Sequence, residues 1–191
     1  MCGRYALSSV DLVRKRHNFN IVPSYNIAPS REILTITSEL KPSLKVWGFS
    51  PDWYRGNMNL INARFETLYD KPSFKNVSKC VIPADGWFEW FRKGESKIPF
   101  YHHADGQLIY FAGLYNATSG CAIVTCPSTG AAKQIHRRQP LLIKEGQIEK
   151  WFSDEYQREA EYVPNLCVYA VSKQVNNPKC DRPQNILRVV S

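Results

Sequence analysis

No apolar run in the 191 residues approaches the roughly 20 that a helix needs to cross a bilayer, so no membrane partner is expected. The first residues, MCGRYALSSVDLVRKRH, lack the long apolar core of a secretory signal. Cysteine is present at Cys2, Cys80, Cys121, Cys126, Cys167 and Cys180, but no Cys-x-x-Cys pair occurs. The four histidines, His17, His102, His103 and His136, stand at no zinc-site spacing from those cysteines. Neither a metal nor another cofactor is therefore expected, and the cysteines read mostly as buried thiols of a reducing compartment. Internal repeats, low-complexity tracts and linkers are also missing, which argues for one domain over residues 1–191.

What is abundant points elsewhere. Lysine and arginine number 25 against 17 acidic residues, a formal charge of +8, and such a surplus favours a polyanionic partner, most simply nucleic acid. Hydrophobic residues make up 43% and charged residues 22%, proportions that can fill a globular core.

The pattern along the chain is rich in strands. SSVDLVRKRHNF predicts a short helix capped by Ser8 or Ser9, and SYNIAPS predicts a loop. EILTIT, SLKVWGF, KCVIPA, WFEWFR, IPFYHH, LIYFAGLY, CAIVTC, LCVYAVS and the closing ILRVV carry the β-branched and aromatic residues of strands. Asp85-Gly86 reads as a turn, and Asp105-Gly106 as the turn of a hairpin. SPDWYRGNMNLINAR reads as an irregular crossing, and ETLYDKPSFKNVSK as partly helical and interrupted at Pro72. STGAAKQIH and QIEKWFSDEYQREAEY look helical. With short helices and no βαβ alternation, the expected class is α+β with a curved, mostly antiparallel, barrel-like sheet.

Five stretches carry candidate chemistry. Cys2, once N-terminal, holds an amine and a thiol on adjacent carbons, a 1,2-aminothiol that reacts with aldehydes; an N-terminal-nucleophile amidotransferase would begin the same way. In INARFET, Asn62 and Arg64 are two apart and share a face if the segment is extended. An amide beside a guanidinium suits a sugar-phosphate, whereas the plainer reading has Asn62 capping a helix and Arg64 paired with Glu66 or solvated. Glu89 lies among Trp87, Phe88, Trp90 and Phe91, where burial would raise its pKa toward acid/base values; the plainer reading is an edge-strand Glu paired with Arg92 or Lys93. His136, in QIHRRQP, is the histidine in a polar, turn-like setting, while His102 and His103 read as structural or exposed. Trp47, Phe49, Trp53 and Tyr54 read mainly as core, with one or two free to stack on a base.

Taken in order, MCGRY, YNIAPS, WGFSPDW, INARFET, KPSF, CVIPADGWFEW, FAGLY, IHRRQP and VSKQVNN resemble the motifs of the SRAP family, the SOS-response-associated proteins that process abasic sites. The match runs from Cys2 to about Asn177, and the amidotransferase shares only its opening tripeptide. The resemblance implies attack of the Cys2 amine on the ring-opened sugar aldehyde, then closure of a thiazolidine by the thiol. The product is a DNA–protein crosslink that shields the lesion. It assigns catalysis to Cys2, Asn62, Glu89 and His136, with Glu89 shuttling protons and His136 protonating the sugar oxygen. Arg4, Arg64, Lys75 and Arg138 would hold DNA phosphates, and Trp53 would stack or wedge. The partner implied is single-stranded DNA with abasic sites, including junctions with duplex, bound by a monomer in the cytoplasm with the nucleoid, or in the nucleus of a eukaryote. Lyase activity and N-terminal self-processing are further family properties, although with only Met1 before Cys2 an aminopeptidase would suffice.

The chain departs from the family's His-x-Arg-Met-Pro pattern, which commonly has Asp second, at Arg137 and Gln139. A cation beside His136 would lower its pKa. The chain also ends soon after the last motif, as expected of a compact bacterial or phage form. Two rivals stay open on the residues alone: a non-covalent reader of single-stranded DNA or junctions, and a Cys/Glu-dependent peptidase. A covalent gel shift with abasic DNA separates the leading reading from the first, and turnover of amides without DNA marks the second.

Overall fold

The computed structural model describes residues 2–51, 53–56, 58–153, 155–156 and 165–189. Among them the strands are β1 (Tyr5–Leu7), β2 (Ser24–Ile27), β3 (Glu32–Thr37), β4 (Pro42–Val46), β5 (Asn62–Arg64), β6 (Ser78–Ala84), β7 (Gly86–Lys93), β8 (Ser96–Ala104), β9 (Ile109–Asn116), β10 (Gly120–Pro127), β11 (Arg138–Pro140), β12 (Leu142–Ile143) and β13 (Leu166–Ala170). The α-helices are α1 (Val10–His17) and α2 (Ile148–Phe152). The class is α+β, as the strand-rich pattern predicts. One sheet runs β13-β8-β7-β1-β2; the other runs β11-β10-β9-β6-β3-β4, with β12 added on β9 and β5 on β10. Both are curved and neither closes into a barrel. Pairing is antiparallel except for β5 on β10.

The two sheets face each other across an aromatic core. Tyr5 and Trp87 from the five-stranded sheet meet Phe111 of β9 edge-on at 5.8 and 6.1 Å, and Tyr5 meets Trp47 at 5.5 Å. Burying one such Phe contributes about 1.5–3 kcal/mol. The side chains that alternate with these, Ala6 and Phe88, bury on the opposite face with Tyr101, Val171 and Val175. β7 is therefore covered on both faces, which is why GWFEWF reads as a continuous apolar run around one carboxylate.

Several turns behave differently from their sequence signals. Asp105-Gly106 makes no hairpin: β8 belongs to one sheet and β9 to the other, so the chain crosses the core there. Asp85-Gly86 crosses in the same way between β6 and β7. A Cβ at Gly86 would collide with the His102 carbonyl and the Tyr101 ring, so this crossing requires glycine. The tight hairpin lies instead at Gly94-Glu95, where Lys93 pairs with Ser96 and Gly94 takes φ +60°. Asp-Gly encodes a reversal of direction, while the faces to be buried decide which sheet receives the next strand.

Other local differences have local causes. SYNIAPS is not a loop; Ser24–Ile27 pairs with β1. α1 begins at Val10, but neither serine hydroxyl caps it; Asp85 Oδ2 accepts from Ser8 N, Ser8 Oγ and Ser9 N at 2.6, 2.8 and 3.1 Å. ETLYDKPSFKNVSK holds two 3₁₀ turns, Phe65–Thr67 and Pro72–Phe74, and STGAAKQIH one, Gly130–Gln134. Among the described residues the helix predicted from Gln147 is α2 alone, and the part after Tyr156 lies outside them. ILRVV supplies an isolated bridge from Arg188 to Val171 in place of a strand. Cys2, Cys80, Cys121 and Cys126 are buried, Cys180 is half-buried and Cys167 is exposed.

Candidate active site

The antiparallel register of β1 on β7 aims the start of the chain at Glu89. Tyr5 lies opposite Trp87, and Phe88 N donates to Arg4 O at 2.9 Å, so the next step outward brings residue 3 level with Glu89. Cys2 is fully buried there, with Sγ 3.9 Å from Arg4 O. Burial pushes its thiol pKa far up, and the Glu89 charge adds to the rise.

Glu89 itself is 4% exposed. β7 is a central strand between β8 and β1, so the edge-strand reading of Glu89 does not hold. Burial raises its carboxyl pKa from 4.5 to about 7, the direction that the aromatic neighbours in sequence suggest. Its Oε2 stands 3.9 Å from His136 Nδ1.

His136 follows the Gly130–Gln134 turn, held by its amide donating to Ala132 O at 3.1 Å. His136 Nδ1 stands 3.0 Å from both Arg138 N and Arg138 O, so it accepts from the amide when bare and donates to the carbonyl when protonated. Burial lowers the His136 pKa below the ordinary 6.5; the Arg138 backbone opposes this, and the charges of Arg137 and Arg138 reinforce it. Gln139, the other departure from the family pattern, is buried and accepts from Thr129 N at 3.1 Å, tying down the loop that leads into the turn.

Arg138 points inward. Its guanidinium forks onto Glu66 at 2.5 and 3.0 Å and donates to Thr125 O and Oγ1 at 2.7 and 3.1 Å. Glu66 is thus engaged with Arg138; of the two alternatives in the plainer reading of Arg64, paired with Glu66 or solvated, the exposed side chain matches the second. Arg64 is exposed, and with Glu66, Thr67, His136, Arg137 and Arg138 it lines a cleft of 450 Å³. Asn62 caps no helix: it pairs with Ile123 in β5, and Ala63 between it and Arg64 is buried on the other side. Asn62 Nδ2 donates to Ile61 O at 2.9 Å, while its Oδ1 is buried with no partner among the described residues. An orphaned acceptor of this kind costs about 1–3 kcal/mol, which a bound donor would offset.

The remaining candidates are placed apart. Arg4 is half-buried, and its Nη1 donates to Asn26 Oδ1 and Val175 O, both at 2.8 Å. Lys75 is exposed after the Pro72–Phe74 turn, and Trp53 is exposed with its ring against Tyr54 at 6.0 Å; neither lines the cleft. Sequence made none of Glu66, Thr125 and Arg137 a site candidate: Glu66 entered only as a partner for Arg64 and Arg137 only as a neighbour of His136. Glu66 sits within INARFET and Arg137 beside His136, so proximity to a motif was the available signal; Thr125, inside an apolar strand, gave none.

An antiparallel two-sheet scaffold thus brings the Cys2 thiol, the buried Glu89 carboxyl and His136 to one site. The chain belongs to the SOS response associated peptidase (SRAP) family, whose pattern matches residues 1–178. It is 34% identical over 222 aligned positions to the abasic site processing protein YoqW of Bacillus subtilis, covering 97% of this chain and 99% of that one. The abasic site processing protein YedK of Escherichia coli is 31% identical, over 94% of this chain and 96% of its own. A crystal structure of a Bacteroides thetaiotaomicron protein shares the fold, with TM-score 0.82 over 99% of this chain and all of that one at 21% identity.

Proposed function

We propose that this protein processes abasic sites in DNA by becoming covalently joined to them through Cys2. The observation that carries the reading is Glu89, a buried carboxyl with a pKa near 7 whose charge acts on the Cys2 thiol and whose Oε2 stands 3.9 Å from His136 Nδ1. A group half protonated at neutral pH can give a proton in one step and take one in the next. The family membership and the names of the two relatives support the same substrate.

With residue 1 removed, the Cys2 α-amine has an ordinary pKa of about 7.7–8.0, so part of it is neutral and nucleophilic. It adds to C1′ of the open-chain sugar. Glu89 protonates the departing hydroxyl, water leaves and an imine forms. The Glu89 carboxylate then takes the thiol proton, sulfur adds to the same carbon, and the nitrogen ends protonated or neutral according to pH. One water is lost overall, and the second bond closes within one residue, an intramolecular step. His136, as the imidazolium, gives its Nε2 proton to the ring oxygen as the sugar opens and is left neutral with its remaining proton on Nδ1, where Arg138 O accepts it. Asn62 Oδ1 accepts from the sugar or the amine.

Arg64, in the open cleft, holds a flanking phosphate, and the +8 charge supplies general attraction. Lys75 and Trp53 serve the strand farther out, by charge and by stacking. Arg138, whose fork is filled, serves chiefly to hold His136. Single-stranded DNA suits a site that must reach C1′ with a main-chain amine.

The test is direct. Protein beginning at Cys2 is incubated with a single-stranded oligonucleotide containing one abasic site, then run on a denaturing gel and weighed intact. The expected product has the summed mass less one water. Retarded mobility only under native conditions would leave a non-covalent reader instead.

A further inference from the structure

Two sequence motifs, YNIAPS and VSKQVNN, have no part in the chemistry above, yet the structure ties both to Cys2. Asn26, on β2, is fully buried. Its Oδ1 accepts from Arg4 Nη1 at 2.8 Å. Its Nδ2 faces the carbonyls of Val175, Asn177 and Cys180 at 3.3, 3.0 and 2.7 Å. Arg4 Nη1 also donates to Val175 O at 2.8 Å. The C-terminal segment is independently fastened to β2, since Asp181 accepts from Ser24 Oγ and Tyr25 N, both at 2.6 Å. The surroundings of Asn26 are therefore fixed before Arg4 is considered.

Arg4 is the hinge between this block and the reacting groups. Its carbonyl takes the Phe88 N–H at 2.9 Å, next to Glu89, and lies 3.9 Å from Cys2 Sγ. Whatever holds residue 4 sets both the thiol and the strand that carries the carboxylate. In protein cut to begin at Cys2, a terminus two residues away would otherwise fray.

We propose that Asn26 is a positioning residue: through Arg4 it holds Cys2 in register with Glu89. This rests on the covalent reading above. An Asn with only a structural part would lower thermal stability and leave the rate per folded molecule alone. A positioning Asn changes the rate once DNA is saturating, with little change in the DNA concentration needed.

The experiment is single-turnover adduct formation by Asn26→Ala, beginning at Cys2, across a range of abasic oligonucleotide concentrations. The maximal rate should fall by about tenfold or more, because misplacing a reacting group by ~1 Å costs on the order of 10²-fold. The half-saturating concentration should stay within about twofold of wild type, as expected when transition-state geometry and not binding is lost. If circular dichroism shows Asn26→Ala unfolded, Arg4→Lys takes its place. It keeps the charge that attracts phosphate, but an ammonium cannot reproduce the guanidinium's hold on Asn26 and Val175 O, and the same fall is expected. A maximal rate within about twofold of wild type, or a loss confined to affinity, overturns the proposal. Wild-type protein that forms no adduct at all sinks the covalent reading itself, so the two failures are distinct.

Discussion

Arg138 meets His136 Nδ1 with both ends of its own residue, the amide nitrogen at 3.0 Å and the carbonyl oxygen at 3.0 Å. The N–H satisfies Nδ1 when it is bare and the C=O satisfies it when it carries a proton, so the imidazole can gain or lose a proton without turning. That suits a group that passes a proton through Nε2. The Arg138 side chain, clamped by Glu66 and Thr125, keeps those two backbone atoms in place.

Glu66→Gln should loosen this clamp. One neutral acceptor replaces the bidentate carboxylate, and Glu66 is partly exposed, so the stability loss should be about 1 kcal/mol or less. The effect on His136 should be larger than that figure suggests. Release of bound oligonucleotide, followed by a chase with unlabelled abasic DNA, should slow by roughly tenfold, toward the low end of a general acid's worth. A normal release rate with a lowered melting temperature would reduce the clamp to a structural feature.

Glu89→Gln should trade function for stability. The folded pKa, about 7, lies above the ordinary 4.5, so between those values the folded state binds more protons than the unfolded one. Stability therefore falls as pH rises from about 4.5 to 7, and at pH 8 the ionised Glu89 weakens the fold by up to about 3 kcal/mol. The amide carries no such penalty. Chemical denaturation should show the variant more stable than wild type at pH 8 and nearly equal to it at pH 4, while adduct formation slows by about 10²–10⁴-fold. Equal pH dependence in the two proteins would mean that Glu89 is not the buried, proton-shuttling carboxyl of this site.

Arg64→Ala tests the open side of the cleft. Phosphate contacts carry no base information, so binding should weaken evenly across sequences, and the salt slope should flatten by roughly 0.7 for one lost contact on a single strand. Fluorescence anisotropy over a salt series measures both. An altered sequence preference at constant slope would move Arg64 from phosphate to base.

The parts of this site that sequence reveals are those whose chemistry is local. Glu89 is legible because its aromatic neighbours are adjacent in the chain and bury it whatever sheet β7 joins. Asn62 and Arg64 are legible because two extended residues share a face in any register. The Arg138–Glu66 pair is not, since it spans 72 positions and exists only because β5 and β11 flank the same end of β10. For the same reason the partner of Arg4 is hidden, and a free phosphate ligand is the natural reading of an arginine whose hydrogen bonds are all made to distant residues. Asp105-Gly106 misleads in the opposite sense: the local turn is real, but the core beneath it separates the strands it would join.

Cys2→Ser isolates the sulfur. The variant keeps the α-amine and a side chain of similar shape in a buried position, so the first bond to C1′ can still form. Borohydride should trap that imine as a stable amine. Without reductant the adduct should be lost on denaturation, because the hydroxyl is a far poorer nucleophile than a thiolate and the Glu89 carboxylate is too weak a base to ionise it. Oxazolidine closure would leave a ring that opens readily in water. Wild type should resist the same denaturation with no reductant present, and its mass should be unchanged by borohydride, since a closed thiazolidine has no C=N bond to reduce. Gel and intact mass, each with and without borohydride, give four readings that only the sulfur-closed ring fits. A reductant-independent adduct of Cys2→Ser at wild-type level would mean that closure does not pass through Cys2, and the pairing of its thiol with Glu89 would then need another purpose.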